Sequence, residues 1–524
     1  MRSFTDHLAQ YEPSRFSLEA RLRRVAGLIA LLGAAIVYGA LIALYSTVYL
    51  VELAFPLVLL TFLVIWALPD ARTGPVRLLK WLFFAFLIGL VVWPDYLALA
   101  LPGLPWITVR RLISVPLLIT LLICLSVSAQ TRKDITEVLR ADTVVTRLLV
   151  AFIVLQVLSV FISSDIGVSL DKLIVAQLYW STVFFAGCYV FRDHGSIARW
   201  SAILCLILVP LCASGLLEWR NSQVPWAGHI PSFLAVEDEA VKRILTGTAR
   251  ATTGTYRVQS TFSTPLGFAE YMVLATPFLI HYVVKPFRPV VRIAALLALP
   301  VVFFMLVLTD TRLGMAGFFL SFVLYVGMYA AHLWSQSRTS LFAPAIVLGY
   351  PAIFGMFIAS TFLVGRLRRM VWGGGEHQAS TEARQEQYAQ GFQLLINNPF
   401  GYGIGRGAER LGFRNGADVL TIDTYYLLVA LEYGVLGFFI YYSMLLWAGA
   451  RASFRLFARS SADSEMHYLL PITISLANFV VIKSVFSVEA NHPLVFMMLA
   501  MILALLAREP RQEGNGGRLR RAFS

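Results

Sequence analysis

Charge is scarce in this chain. Asp, Glu, Lys and Arg make up only 14% of its 524 residues, apolar side chains make up 58%, and the mean hydropathy is +0.72. A soluble chain of this length cannot hide so much apolar surface from water, so a soluble globular protein is excluded. Cysteine is nearly absent. The four present, Cys124, Cys188, Cys205 and Cys212, lie inside long apolar runs without metal or redox spacing. They read as small packing residues and leave the redox compartment open. There is no HExxH, no Cys or His pair at ligand spacing, no Walker loop and no Rossmann glycine fingerprint in context, and His229 and His377 stand alone in loops. Metal and nucleotide cofactors are therefore not expected. Internal repeats and low-complexity tracts are also missing, apart from the basic tail EPRQEGNGGRLRRAFS, which reads as disordered.

Long apolar runs are what the chain does have. Runs of about 17 to 25 residues mark membrane-spanning helices. They fall near 25–44, 49–68, 78–93, 108–128, 144–161, 173–190, 200–217, 266–284, 291–309, 313–331, 341–363, 423–447, 469–486 and 493–507. The expected fold is thus all-α and polytopic, with about twelve to fourteen spans, the lower number applying if the short last pair is re-entrant. The first run is too long for a signal-peptide core and is followed directly by a second, which predicts an uncleaved anchor.

Basic residues in the loops orient these spans. Five arginines precede residue 25 (Arg2, Arg15, Arg21, Arg23, Arg24) and five close the chain (Arg508, Arg511, Arg518, Arg520, Arg521), so both termini are expected in the cytoplasm. The organisation that follows is a basic segment 1–24, first membrane helices 25–217, a periplasmic loop 218–264, central helices 265–363, a large periplasmic loop 364–422, last helices 423–507 and a basic tail 508–524. The net charge of +13 is met by an anionic inner leaflet and needs no nucleic acid.

The outer face still carries many arginines, among them Arg110, Arg111, Arg257, Arg312, Arg366, Arg368, Arg369, Arg384, Arg406, Arg410 and Arg414. Guanidinium forks grip phosphate oxygens in pairs, which suits an anionic ligand. A solvated loop surface is the competing reading, and with 37 Arg to 6 Lys overall the preference for Arg carries no information. Arg312, beside Asp310 where one span ends and the next begins, either snorkels to head groups or serves such a ligand. In TYRVQSTFSTPLGFAEYMVLATPF, Pro265 opens a helix after Thr264, and Glu270 sits about one turn inside. It is either an acid in a substrate cavity or hydrogen-bonded between helices.

The segment 381–439 is the most distinctive. Residues 381–396 read as a helix with Tyr388, Gly391, Phe392 and Leu395 on one face and Arg384 a turn earlier on the same stripe, so Arg384 is expected to point inward. Asn397, Asn398 and Pro399 end it, and Gly401, Gly403 and Gly405 then permit positive φ and close approach to a ligand, or simply a flexible turn. Asp423 opens the next span as N-cap, catalytic group or both.

An Arg-led helix, Asn-Pro, Gly-x-Gly-x-Gly, a polar pair before Tyr-Leu, and Glu432, Gly434 and Gly437 in Glu-x-Gly-x-x-Gly together resemble the O-antigen ligase and polymerase-like family of bacterial inner-membrane proteins. The strings RVQSTFSTPLGFAEYMVLATPF and LTDTRLGM resemble that family as well, and the likeness covers about 255–445. It implies transfer of a glycan from an undecaprenyl-pyrophosphate carrier to an acceptor sugar hydroxyl on the periplasmic face, with no cofactor. It also brings in flippase and chain-length regulator proteins as partners. Ligases of the family carry a His-Asn pair where this chain has Asp423 and Thr424, a departure that points to a polymerase of O-antigen or exopolysaccharide repeat units. The alternatives are a glycan ligase acting on a lipid or protein acceptor and, from another class, a lipid-linked oligosaccharide flippase or another transporter. On the polymerase reading Asp423, Arg384 and Arg312 are catalytic, and Arg257, Glu270, Asn398, Gly401, Gly403, Gly405, Arg406 and Tyr426 bind substrate.

Overall fold

A computed structural model describes residues 50–508 except 72, 101–105, 237, 250–253, 337–340, 364–377, 415–418 and 459–462, together with Ala26 and Gly33. The expected basic segment 1–24, most of the run 25–44, Arg366, Arg368, Arg369, His377 and the tail beyond Arg508 lie outside the described residues.

The fold is a helical bundle. Its elements are α1 (Leu50–Ala67), α2 (Val76–Val92), α3 (Val109–Val127), α4 (Ala129–Leu139), α5 (Thr143–Phe161), α6 (Ile166–Ala176), α7 (Thr182–Val190) and α8 (Ser196–Asn221). After these come α9 (Glu239–Thr246), α10 (Pro265–Val284), α11 (Pro289–Leu308), α12 (Arg312–Gln336), α13 (Phe342–Leu363), α14 (Gln378–Asn397) and α15 (Gly407–Leu411). The last three are α16 (Tyr425–Phe457), α17 (Leu469–Ile482) and α18 (His492–Ala507). A π-turn, Gln177–Ser181, joins α6 to α7 without a break. Two small antiparallel pairs, β1 (Ala98–Leu99) with β2 (Ile107–Thr108) and β3 (Thr248–Ala249) with β4 (Tyr256–Arg257), lie in connections on the same face.

Among the described residues eight helices are long and apolar enough to cross a membrane: α3, α5, the continuous α6 to α7, α8, α10, α11, α12 and α16. Shorter apolar helices lie at Val58–Ala67, Met466–Ile482 and His492–Ala507. This is a polytopic all-α membrane protein, with fewer full-length spans in the described part than the apolar runs suggest. The last pair explains part of the difference, because α17 and α18 are buried nearly all round. A helix enclosed by protein need not match the bilayer thickness. Pro265 starts α10 as expected, with the Thr264 hydroxyl accepting from Gly267 N–H at 3.2 Å.

Candidate functional site

The candidate residues gather at one face of the bundle, where connections from distant parts of the chain meet. Thr261 Oγ1 donates to Val91 O at the end of α2 (2.6 Å), Val258 N–H to Leu308 O at the end of α11 (3.1 Å), and Tyr425 N–H to Lys483 O after α17 (3.1 Å).

Arg257 and Arg312 meet at one turn. The connection between α11 and α12 is three residues, Thr309, Asp310 and Thr311, with the two threonine hydroxyls 2.7 Å apart. Asp310 is held at φ 48, an uncommon conformation for a residue with a Cβ and one that accumulates at working sites. Arg257 Nε donates to Thr309 O at 3.0 Å, which fixes its guanidinium beside the start of the Arg312 helix. Gly314 brings α12 close to α10, since a Cβ there would lie 3.2 Å from Ala269 Cβ.

Arg384 and Asp423 meet across α14 and the entrance to α16. The buried face of α14 carries Gln387, and Gly391, where a Cβ would lie 2.5 Å from Leu427 Cδ1. Asp423 N–H donates to Gln387 Oε1 at 2.8 Å, and the Tyr388 and Thr424 hydroxyls are 3.0 Å apart. Thr421 and Gln387 lie beside the Asp423 carboxyl; burial pushes its pKa up from the ordinary aspartate value, and the positive charge of Arg384 opposes that.

Two expectations need correction here. The inward stripe of α14 keeps Gly391 and Leu395 of those read from the sequence but not Tyr388 and Phe392, which are 42% and 66% exposed while the polar Gln387 is buried. A helix at a membrane interface has apolar residues on a lipid side as well as a protein side, and hydropathy cannot separate them. Asp423 is also not the N-cap: Thr424 occupies that position and makes no side-chain cap bond.

The glycine turn is closed by the protein itself. Gly401, Gly403 and Gly405 all have positive φ (86°, 99° and 81°), as the alternation suggests. What approaches them closely is protein. A Cβ at Gly401 would lie 2.5 Å from Gly434 N, and one at Gly403 would lie 2.9 Å from Ser159 O. Tyr402 and Gly403 N–H donate to the carbonyls of Leu431 and Glu432 (2.8 and 3.1 Å), and Val435 N–H donates to Pro399 O (2.9 Å). Those partners are free because α16 is broken at Gly434 (φ 73, ψ −179). The Glu432 carboxyl accepts from the backbone N–H groups of Gly405 and Gly407, so this nest holds an internal carboxylate in the position where a phosphate would otherwise be cradled. Asn398 braces the turn through Nδ2 to Gly401 O (2.7 Å). Arg406 pairs with Glu409 and, at 3.9 Å, with Asp165; Tyr426 donates to Val480 O at 2.7 Å.

A stability contrast follows. Gly401→Ala should lower stability by about 2 to 5 kcal/mol, from left-handed strain plus overpacking against backbone. Gly412→Ala, also at positive φ (68°) but with its nearest neighbour 4.0 Å from the added Cβ, should cost only the strain, about 1 to 2 kcal/mol. Melting temperatures of the two purified variants test the difference.

Glu270 is fully buried and ion-paired with Lys483 at 2.7 Å, with Asn491 Nδ2 donating to it at 3.2 Å and to Gly267 O at 2.9 Å. Of the two readings left open for it, the structure shows the hydrogen-bonded link between helices. Lys172 makes a second, partly exposed pair with Glu489 and lies close in charge to Glu432. Sequence reasoning missed Lys483, Lys172, Glu489, Asn491 and Gln387. The usable signal was Lys483 itself, a charge within an apolar run, which calls for a partner of opposite sign such as Glu270.

Residues 271–442 match the family model described as O-Antigen ligase, and the chain carries that family's domain. No curated protein matches the chain. The matched stretch contains Arg312, Arg384, the glycine turn, Asp423 and Tyr426; Arg257 and Glu270 precede it. A multi-pass membrane protein with this domain is a glycosyltransferase-like enzyme that transfers glycan in O-antigen assembly.

Proposed function

We propose that the protein polymerises lipid-linked repeat units of O-antigen or exopolysaccharide at the periplasmic face of the bacterial inner membrane, with both termini cytoplasmic. The carrying observation is the placement of Arg384 beside Asp423, a cation and a carboxyl of raised pKa at the entrance to α16. The donor on this reading is a glycan on undecaprenyl pyrophosphate and the acceptor is a sugar hydroxyl of a second lipid-linked unit. The acceptor oxygen attacks the anomeric carbon as the bond to the pyrophosphate oxygen breaks. Asp423 takes the hydroxyl proton, and the pyrophosphate leaves with its negative charge met by Arg384, Arg257 and Arg312. Displacement from the opposite side inverts the anomeric centre. Flippase and chain-length regulator proteins are the expected partners in the membrane.

Deleting the gene and profiling the glycans tests this. Single repeat units retained on the lipid carrier, with loss of long polymer, support the polymerase. Accumulation of polymerised but unattached glycan replaces it with a ligase, and build-up of repeat units on the cytoplasmic side replaces it with a flippase.

Sidedness has its own test. Gln223 and Gln393 are exposed at the face of the candidate site and Gln336 at the opposite end of α12. Cysteines placed singly at Gln223 and Gln393 in a cysteine-free background should react with a membrane-impermeant thiol reagent in spheroplasts, whereas one at Gln336 should not. The reverse pattern moves the site to the cytoplasm.

A further inference from the structure

A cleft with a different chemistry opens on the same face. Two adjoining hollows of about 490 and 230 Å³ share Asp95, Arg110 and Tyr179 and lie between the ends of α2, α3 and α6, the π-turn and the start of α18. Nothing in the transfer chemistry above uses them.

Each cation in this cleft has its own carboxylate. Arg110 pairs with Asp95 at 2.5 Å, Arg111 stands 4.0 Å from Asp171, and Lys172 pairs with Glu489. A pyrophosphate would have to compete with three carboxylates for three cations, so this is a poor anion site. Sugar hydroxyls both donate and accept, and a wall of alternating guanidinium, ammonium and carboxylate groups offers both partners. Trp106, Tyr179 and Trp180 complete the lining together with small apolar residues such as Val175, Ala490 and Pro493. Trp106, 37% exposed, presents the open aromatic face, while Tyr179 is covered by the Arg110 guanidinium at 5.5 Å and Trp180, in the π-turn, is stacked on His492 and Phe496 and serves to hold the wall rigid. Aromatic faces receive the C–H faces of a pyranose ring, and a few convergent polar groups fix its orientation. Arg110 Nε is buried within this wall without a hydrogen-bond partner, leaving one donor to satisfy.

The cleft also adjoins the candidate site. Lys172 lies against the glycine turn, its Cβ 3.3 Å from where a Cβ on Gly405 would be, and Ser263, two residues before Pro265, lines the smaller hollow. We propose that this cleft is a subsite for an uncharged sugar chain, holding the part of a glycan that lies beyond the unit being joined. The proposal rests on the glycan-transfer reading and adds the ligand class and the residues that receive it.

The test uses the full chain in lipid nanodiscs and, as probe, the oligosaccharide released by mild acid from the lipid fraction of the expressing strain. Calorimetric titration should show binding that Trp106→Ala weakens by about two- to tenfold, the scale of one lost aromatic contact. Trp106→Phe should restore most of it, and inorganic pyrophosphate should not compete. In cells, Trp106→Ala should shorten the polymer ladder while the first linkage still forms. Equal affinity in wild type and Trp106→Ala, displacement by pyrophosphate, or no binding to wild type would each overturn the subsite. Failure of the polymerase reading is separable: Asp423→Asn would then leave the ladder intact, whatever the calorimetry gives.

Discussion

Arg384→Lys should lose most polymer, about a hundredfold or more in rate, while inserting in the membrane at the wild-type level. Lysine keeps the charge, but its compact ammonium cannot make the two-pronged contact with phosphate oxygens that a guanidinium makes. Removal of one group that stabilises developing charge typically costs about 10² to 10³ in rate. A second readout separates this role from a merely structural ion pair. Arg384 opposes the upward shift of the Asp423 carboxyl, so losing the positive charge should raise that pKa further. A required carboxylate is active above its pKa and lost as pH falls through it. Arg384→Gln should therefore move the acidic limb of the pH-rate profile upward, whereas Arg384→Lys should leave it near the wild-type position despite the lower rate. Near-normal polymer from Arg384→Ala would remove Arg384 from the mechanism.

The parts of this architecture legible in the sequence are those set by local chemistry. Apolar runs located the helices, Thr264 and Pro265 marked the start of α10, and the Gln378–Asn397 helix lies where 381–396 was expected. Alternating glycine announced positive φ at Gly401, Gly403 and Gly405. It could not announce what would come close, because the break at Gly434 and the carboxyl of Glu432 reach that turn only through folding. The Glu270–Lys483 pair is similar. Each residue signals an unmet charge in an apolar run, but only the packing of α10 against α17 joins them. Facing was the weakest inference. On α14 apolar residues stand on the exposed side as well as the buried one, and the decisive inward residue, Gln387, is polar because it serves the backbone of Asp423.

Asp423→Asn should reduce polymer to single repeats without loss of protein. Asparagine is nearly isosteric, and its side chain can still bond near Thr421 and Gln387, so the local turn should persist; Asp423 is not the helix cap, and no cap is lost. What disappears is the basic oxygen that takes the acceptor proton. General base catalysis typically contributes about 10² to 10⁴ in rate, enough to end chain growth. The pH dependence of the wild type should agree. Because burial raises the Asp423 pKa, activity should fall on acidification at a pH above the ordinary aspartate value near 3.9. Asp423→Glu keeps the carboxylate but moves it outward by one methylene, and should recover a fraction of the rate with the acidic limb retained. The double variant Asp423→His with Thr424→Asn places the ligase-like pair at these positions. Transfer to a non-native acceptor in that background would set the protein beside the ligases, whereas unchanged or abolished activity would keep the polymerase. Normal polymer from Asp423→Asn would end the base assignment. Glu270, closed in its pair with Lys483, is poorly placed to take over, which leaves Asp310 at the Arg312 turn as the next carboxylate to replace.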